Sequence, residues 1–75
     1  MNVEFTTNAL ARMLDRAIPE AEVRAAIESP DHLGPCLEKC WHARKRIEAR
    51  TLEVLFTRDL SHTRILTAYW QDVSS

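Results

Sequence analysis

The chain has 75 residues, with ten Lys/Arg against eleven Asp/Glu, a net charge of −1 and a 45% hydrophobic fraction. That length makes one domain, 1–75, near the lower limit for a self-sufficient core, so a partner or a second copy is expected. The near-neutral charge argues against simple non-specific nucleic-acid binding, and no apolar run reaches the length of a membrane span.

Val3, Phe5 and Thr6 form a short first strand or an extended lead-in, with Thr7 or Asn8 as the N-cap of the helix that follows. Leu10, Met13, Leu14, Ala17 and Ile18 then recur at helical spacing and predict one apolar face, with Arg12, Asp15 and Arg16 on the other. Pro19 suits the first turn of a second helix, Glu20 and Glu22 complement its dipole, and Val23, Ala26 and Ile27 give its apolar stripe. Ser29-Pro30 ends it, and Asp31 to Pro35 is a loop with Gly34-Pro35 as its turn.

Leu37 to Ile47 has helical propensity, but a strand is the better assignment because a third strand makes a thin sheet stable. Trp41, Ala43, Lys45 and Ile47 then face one way, and Cys40, His42, Arg44, Arg46 and Glu48 the other. Glu48-Ala49-Arg50 turns into Thr51–Thr57, whose Leu52, Val54 and Phe56 alternate as a half-buried strand does. Arg58 to His62 is the next turn, and Thr63 to Trp70, β-branched and aromatic, the last strand. The expected fold is α+β, with two N-terminal helices packed on a three- or four-stranded antiparallel sheet.

Charge is unevenly placed. Residues 1–38 hold three arginines against seven carboxylates, and residues 39–75 hold seven Lys/Arg against four. Lys39, Arg44, Lys45, Arg46 and Arg50, with Arg58 and Arg64 on neighbouring strands, make a basic face whose guanidinium forks suit phosphate. The plainer alternative is a solvated face that pairs with the acidic helices. Arg12 and Arg16, one helical turn apart, either hold a phosphate or bridge to Asp15 or Glu20.

His32, Cys36, Cys40 and His42 do not match zinc-ligand spacing, and on a strand the two cysteines would lie about 13 Å apart. No metal or cofactor is expected. The start Met1-Asn2-Val3-Glu4 lacks the basic opening of a secretory signal, which predicts a cytoplasmic chain with both cysteines reduced. Trp41, Tyr69 and Trp70 fit a core or an interface better than base stacking.

Phe5-Thr6-Thr7-Asn8-Ala9-Leu10-Ala11-Arg12-Met13-Leu14-Asp15-Arg16, Val23 to Pro30, Leu52-Glu53-Val54 and Leu66-Thr67-Ala68-Tyr69 resemble a small prokaryotic family of uncharacterised domains. Its first helix reads H-A-x-x-R-M-x-x-R and its last strand V-x-T-A-Y, and it is placed with the RelE/ParE-like toxin superfamily. The resemblance implies a toxin of a toxin–antitoxin system, with an antitoxin protein and ribosome-bound messenger RNA as partners and a homo-oligomer when free. By the same likeness Arg44, Arg46 and Arg64 would stabilise the scissile phosphate, with His42 or Tyr69 as acid or base. Arg12, Arg16, Lys45, Arg50 and Arg58 would bind RNA or partner. The family's helix-opening His is Asn8 here, so any role resting on that His is missing. A non-enzymatic homo-oligomeric module, with Trp41, Tyr69 and Trp70 at its interface, is the alternative.

Overall fold

The computed structural model describes residues 2–36, 38–59 and 61–71. Leu37, expected to open a strand, and Leu60, expected in a turn, lie outside the described residues. The elements are β1 (Asn2–Phe5), α1 (Thr7–Asp15), α2 (Glu20–Glu28), β2 (His32–Pro35), β3 (Cys40–Ile47), β4 (Arg50–Arg58) and β5 (His62–Gln71). All the strands join one sheet in the order β1-β5-β4-β3-β2, with β1 parallel to β5 and the other neighbours antiparallel.

This corrects the expected fold: the sheet is five-stranded and mixed, not three- or four-stranded and antiparallel. Two short edge segments account for the difference. Val3 and Phe5 register with Thr63 and Ile65, so the lead-in satisfies its backbone groups in the sheet. The expected Asp31–Pro35 loop contains β2, because Pro35 sits on an outer strand, where a missing N–H breaks no interior ladder.

Helix α1 is fixed at both ends. Thr6, one residue before the expected cap, accepts from the Ala9 N–H at 3.1 Å, and its hydroxyl donates to the Ile65 carbonyl at 2.8 Å. At the other end the Ile18 N–H reaches the Met13 carbonyl at 2.9 Å and the Ala17 N–H reaches that of Leu14 at 3.3 Å. Ala17, at φ 54°, takes the left-handed position that glycine usually fills in such a Schellman cap. Met13 and Ile18 are buried together beneath it.

Helix α1 is rotated from its expected orientation. Ala9 and Met13 are buried, while Leu10 is 45% and Leu14 84% exposed. Leu66 is the unpaired residue of a bulge in β5, since Leu55 registers with Thr67 but Phe56 with Ile65. Asn8 donates to the freed Leu66 carbonyl at 3.1 Å. Together with the Thr6 bonds, this sets the helix rotation and leaves the Leu10–Leu14 ridge outside.

The core lies between the helices and one side of the sheet. Leu52, Val54 and Phe56 of β4, Ala43 of β3, and Ile65 and Ala68 of β5 pack with Ala9, Met13, Val23, Ala26 and Ile27. The bulge shifts the alternation of β5, so that Ala68 continues the inner face that Ile65 begins.

The cysteines are also corrected. Cys36 and Cys40 form a disulfide with Cα atoms 4.9 Å apart, because Glu38 and Lys39 turn rather than extend. Glu38 and Lys39 both adopt positive φ there, 53° and 64°, and the Cys36 N–H donates to the Cys40 carbonyl at 2.8 Å. No helix among the described residues is long and apolar enough to cross a membrane.

Candidate functional site on the open face of the sheet

The strand period of two gives the sheet a second face, away from the helices. In β4 that face carries Glu53, Leu55 and Thr57, between the buried Leu52, Val54 and Phe56. Glu53 registers with Arg44 on one side and Tyr69 on the other. The carboxylate is 8% exposed despite lacking a helix above it.

Three side chains account for this burial. Arg44 Nε donates to Glu53 Oε1 at 3.2 Å, a charge-assisted bond in a partly dry setting. His42 Nδ1 lies 3.8 Å from Glu53 Oε2, is buried and has no hydrogen-bond partner among the described residues. A small closure would turn that contact into a hydrogen bond. Tyr69 is raised above the usual phenol value of 10.0, by burial first and by the neighbouring Glu53 carboxylate second. It therefore keeps its proton across neutral pH.

Of the five expected catalytic residues, the structure gathers His42, Arg44 and Tyr69 around Glu53. Arg46 shares the face one strand repeat away, where its N–H donates to the Asp31 carboxylate at 2.8 Å and its Nε to the Glu48 carbonyl at 3.3 Å. Arg64 sits opposite Thr57, about 13 Å along the sheet from the Glu53 row, and pairs with Glu4 at 3.6 Å. It borders a cleft of about 380 Å³ that Lys39, Arg58 and His62 also line, together with the acidic Glu38 and Asp59. Arg44 and Arg64 thus mark two separate basic points on one face.

The other expected binding residues are spread over the molecule. Arg12 pairs with Asp15 at 3.4 Å, and Arg16 donates to the Ala68 carbonyl at 3.0 Å. Lys45 lies on the helix-bearing side and reaches the Ser29 carbonyl at 3.0 Å. Arg50 stacks over the Trp70 ring at 3.8 Å, and Arg58 over Phe56 at 5.2 Å. Trp70 Nε1 donates to the Arg16 carbonyl at 3.0 Å, whereas Trp41 is 38% exposed.

Sequence reasoning missed Glu53 and discounted His32. Glu53 had a signal, a single carboxylate inside the apolar run Leu52–Phe56. His32, weighed only with Cys36, Cys40 and His42, is set aside there on ligand spacing; the pairing of β2 with β3 is what carries it to the open face beside His42. Compared with protein-family models, with curated proteins and with solved structures, the chain finds no match.

Proposed function

We propose that this chain is an RNA-directed protein of the toxin kind, cutting or gripping single-stranded RNA on its open sheet face. The observation that carries the reading is the burial of Glu53 among Arg44, His42 and Tyr69. Cleavage of RNA through its own 2′-hydroxyl needs a base for that proton, an acid for the departing 5′-oxygen and a cation for the charge on phosphorus. His42 supplies the base, Tyr69 the retained proton, and Arg44 the cation through the guanidinium donors not turned to Glu53. Glu53 positions His42 and Arg44. The cleft at Arg64, about 13 Å away, would hold the RNA backbone upstream or downstream of the cut through Lys39, Arg58 and Arg64, against Glu38 and Asp59 in the same lining.

The proposed partners are messenger RNA in the cytoplasm and an antitoxin segment that covers the same basic face. The test uses purified protein and a labelled single-stranded RNA. Cleavage leaving a 2′,3′-cyclic phosphate is expected, and Tyr69→Phe should slow it by about 10²-fold or more while the melting temperature stays put. Cytosolic thiol buffers reduce accessible disulfides, so both redox states of Cys36–Cys40 are assayed. Intact RNA with salt-sensitive binding would reduce the reading to RNA binding alone. Neither cleavage nor binding would overturn it.

A second reading, the homo-oligomeric module, is favoured by the exposed Leu10–Leu14 ridge beside an apolar groove at Met13, Ala17, Ile18 and Pro19. Sedimentation of the native chain against Leu14→Glu separates the two readings. A dimer lost in the variant, with no RNA activity, supports the module.

A further inference from the structure

Strand β2 runs antiparallel to β3 with His32 opposite Arg44 and Gly34 opposite His42. His32, Gly34, His42 and Arg44 therefore share the open face, with the two histidines on a diagonal between adjacent strands. Gly34 is the only glycine of the chain. A Cβ built on it would lie 3.0 Å from His42 Nε2 and 3.7 Å from His32 Nε2. Both Nε2 atoms thus converge above Gly34, in space that any other residue would fill.

The rings are 5.5 Å apart between centroids and tilted by 30°. Metal–nitrogen bonds of about 2.0–2.1 Å would put two imidazoles sharing one ion at centroid separations of about 5–6 Å. Ordinary ring stacking also fits that separation, but it does not require both Nε2 atoms to meet over a missing side chain. The far side of His42 supplies an independent observation. Its buried Nδ1 has no partner but faces the Glu53 carboxylate at 3.8 Å. Ligating histidines commonly turn their other nitrogen to a carboxylate in this way, which fixes the proton on Nδ1 and frees the Nε2 lone pair.

We infer that His32 and His42 form a bidentate Nε2 clamp for a borderline-soft divalent transition-metal ion such as zinc, nickel or copper(II). Among the described residues no third His, Cys, Asp or Glu joins them, and the cysteines nearby are tied in a disulfide. The remaining coordination positions belong to water or to an incoming anionic oxygen. Arg44 adds positive charge to the neighbourhood, and Glu53 offsets it. Sequence spacing alone argues against the pair, since ten positions separate the two histidines and only the β2–β3 register brings them together. The inference stands apart from RNA chemistry, although an ion on His42 would take that nitrogen away from proton transfer.

The test is calorimetric titration of the full chain with zinc alone, together with electron paramagnetic resonance of the copper(II) form. One ion per chain and two imidazole nitrogens on copper are expected. His32→Ala, a change at an exposed side chain, should leave one nitrogen and weaken binding about tenfold or more. Gly34→Ala should weaken it similarly by crowding His42 Nε2, while His62→Ala should leave it unchanged. Unaltered affinity and nitrogen count in His32→Ala would overturn the clamp, as would equal loss in His62→Ala.

Discussion

Arg44 Nε and Glu53 Oε1 meet at 3.2 Å across the β3–β4 pair, joining a 39% exposed guanidinium to an 8% exposed carboxylate. Taking the arginine away leaves a buried charge short of its main partner. Arg44→Ala should therefore cost about 1–3 kcal/mol, towards the lower end because solvent reaches the site. Arg46→Ala and Arg64→Ala remove more exposed contacts and should each stay within about 0.5 kcal/mol. Thermal melts of the three variants decide the matter. Equal, small shifts in all of them would show that Glu53 is not held by Arg44 in solution.

Tyr69 is the chain's single tyrosine, so its ionisation can be read directly from phenolate absorbance. Burial and the Glu53 carboxylate disfavour the phenolate, and the midpoint should lie above 10.0. Glu53→Gln should move it back towards that value. The folded state holds the proton more tightly than the unfolded one. The associated stability is therefore complete below pH 10 and lost as pH climbs through the folded midpoint. A midpoint at or below the ordinary value would remove Tyr69 from the proposed proton donors.

The strands that carry the site were legible because β4 alternates cleanly and Arg44 and His42 share a parity on β3. Joining them to Tyr69 needed the β5 register as well. The bulge at Leu66 reverses which face the later residues of β5 present, and nothing in the Thr63–Trp70 run announces it. The rotation of α1 was hidden for a related reason. Leu10 and Leu14 extend a plausible apolar stripe, but the carbonyl groups of Ile65 and Leu66 hold the helix by Thr6 and Asn8 instead. Short edge strands were hardest, since four residues such as Asn2–Phe5 or His32–Pro35 give too little pattern to tell from a lead-in or a loop.

Ala17 closes α1 at φ 54°, where a Cβ is strained and glycine is not. Its neighbours in the cap, Met13 and Ile18, are buried and fix that geometry. Ala17→Gly should therefore stabilise the protein by about 0.5–1 kcal/mol, against the usual loss for glycine near a helix. A domain of this size would gain roughly 4–8 °C in melting temperature per kcal/mol. A lower melting temperature would mean that the left-handed residue is not retained in solution.

The outer strand β2 is held at both ends by different chemistry. At its start the Asp31 N–H donates to the Arg44 carbonyl at 2.8 Å, and the Asp31 carboxylate accepts from the Arg46 N–H at 2.8 Å. At its end the Cys36–Cys40 disulfide closes a turn that contains two residues at positive φ. A bridge across so few residues removes little unfolded-state freedom, so Cys36→Ser/Cys40→Ser should cost about 2 kcal/mol. The Asp31 contacts should keep β2 in register, and the loosening should stay near the turn. Amide hydrogen exchange tests this: protection should fall at Cys36→Ser and its neighbours while the Arg46 amide, bonded to Asp31, keeps its own. Equal loss at both ends would show that the disulfide, and not Asp31, sets the register that brings His32 beside His42.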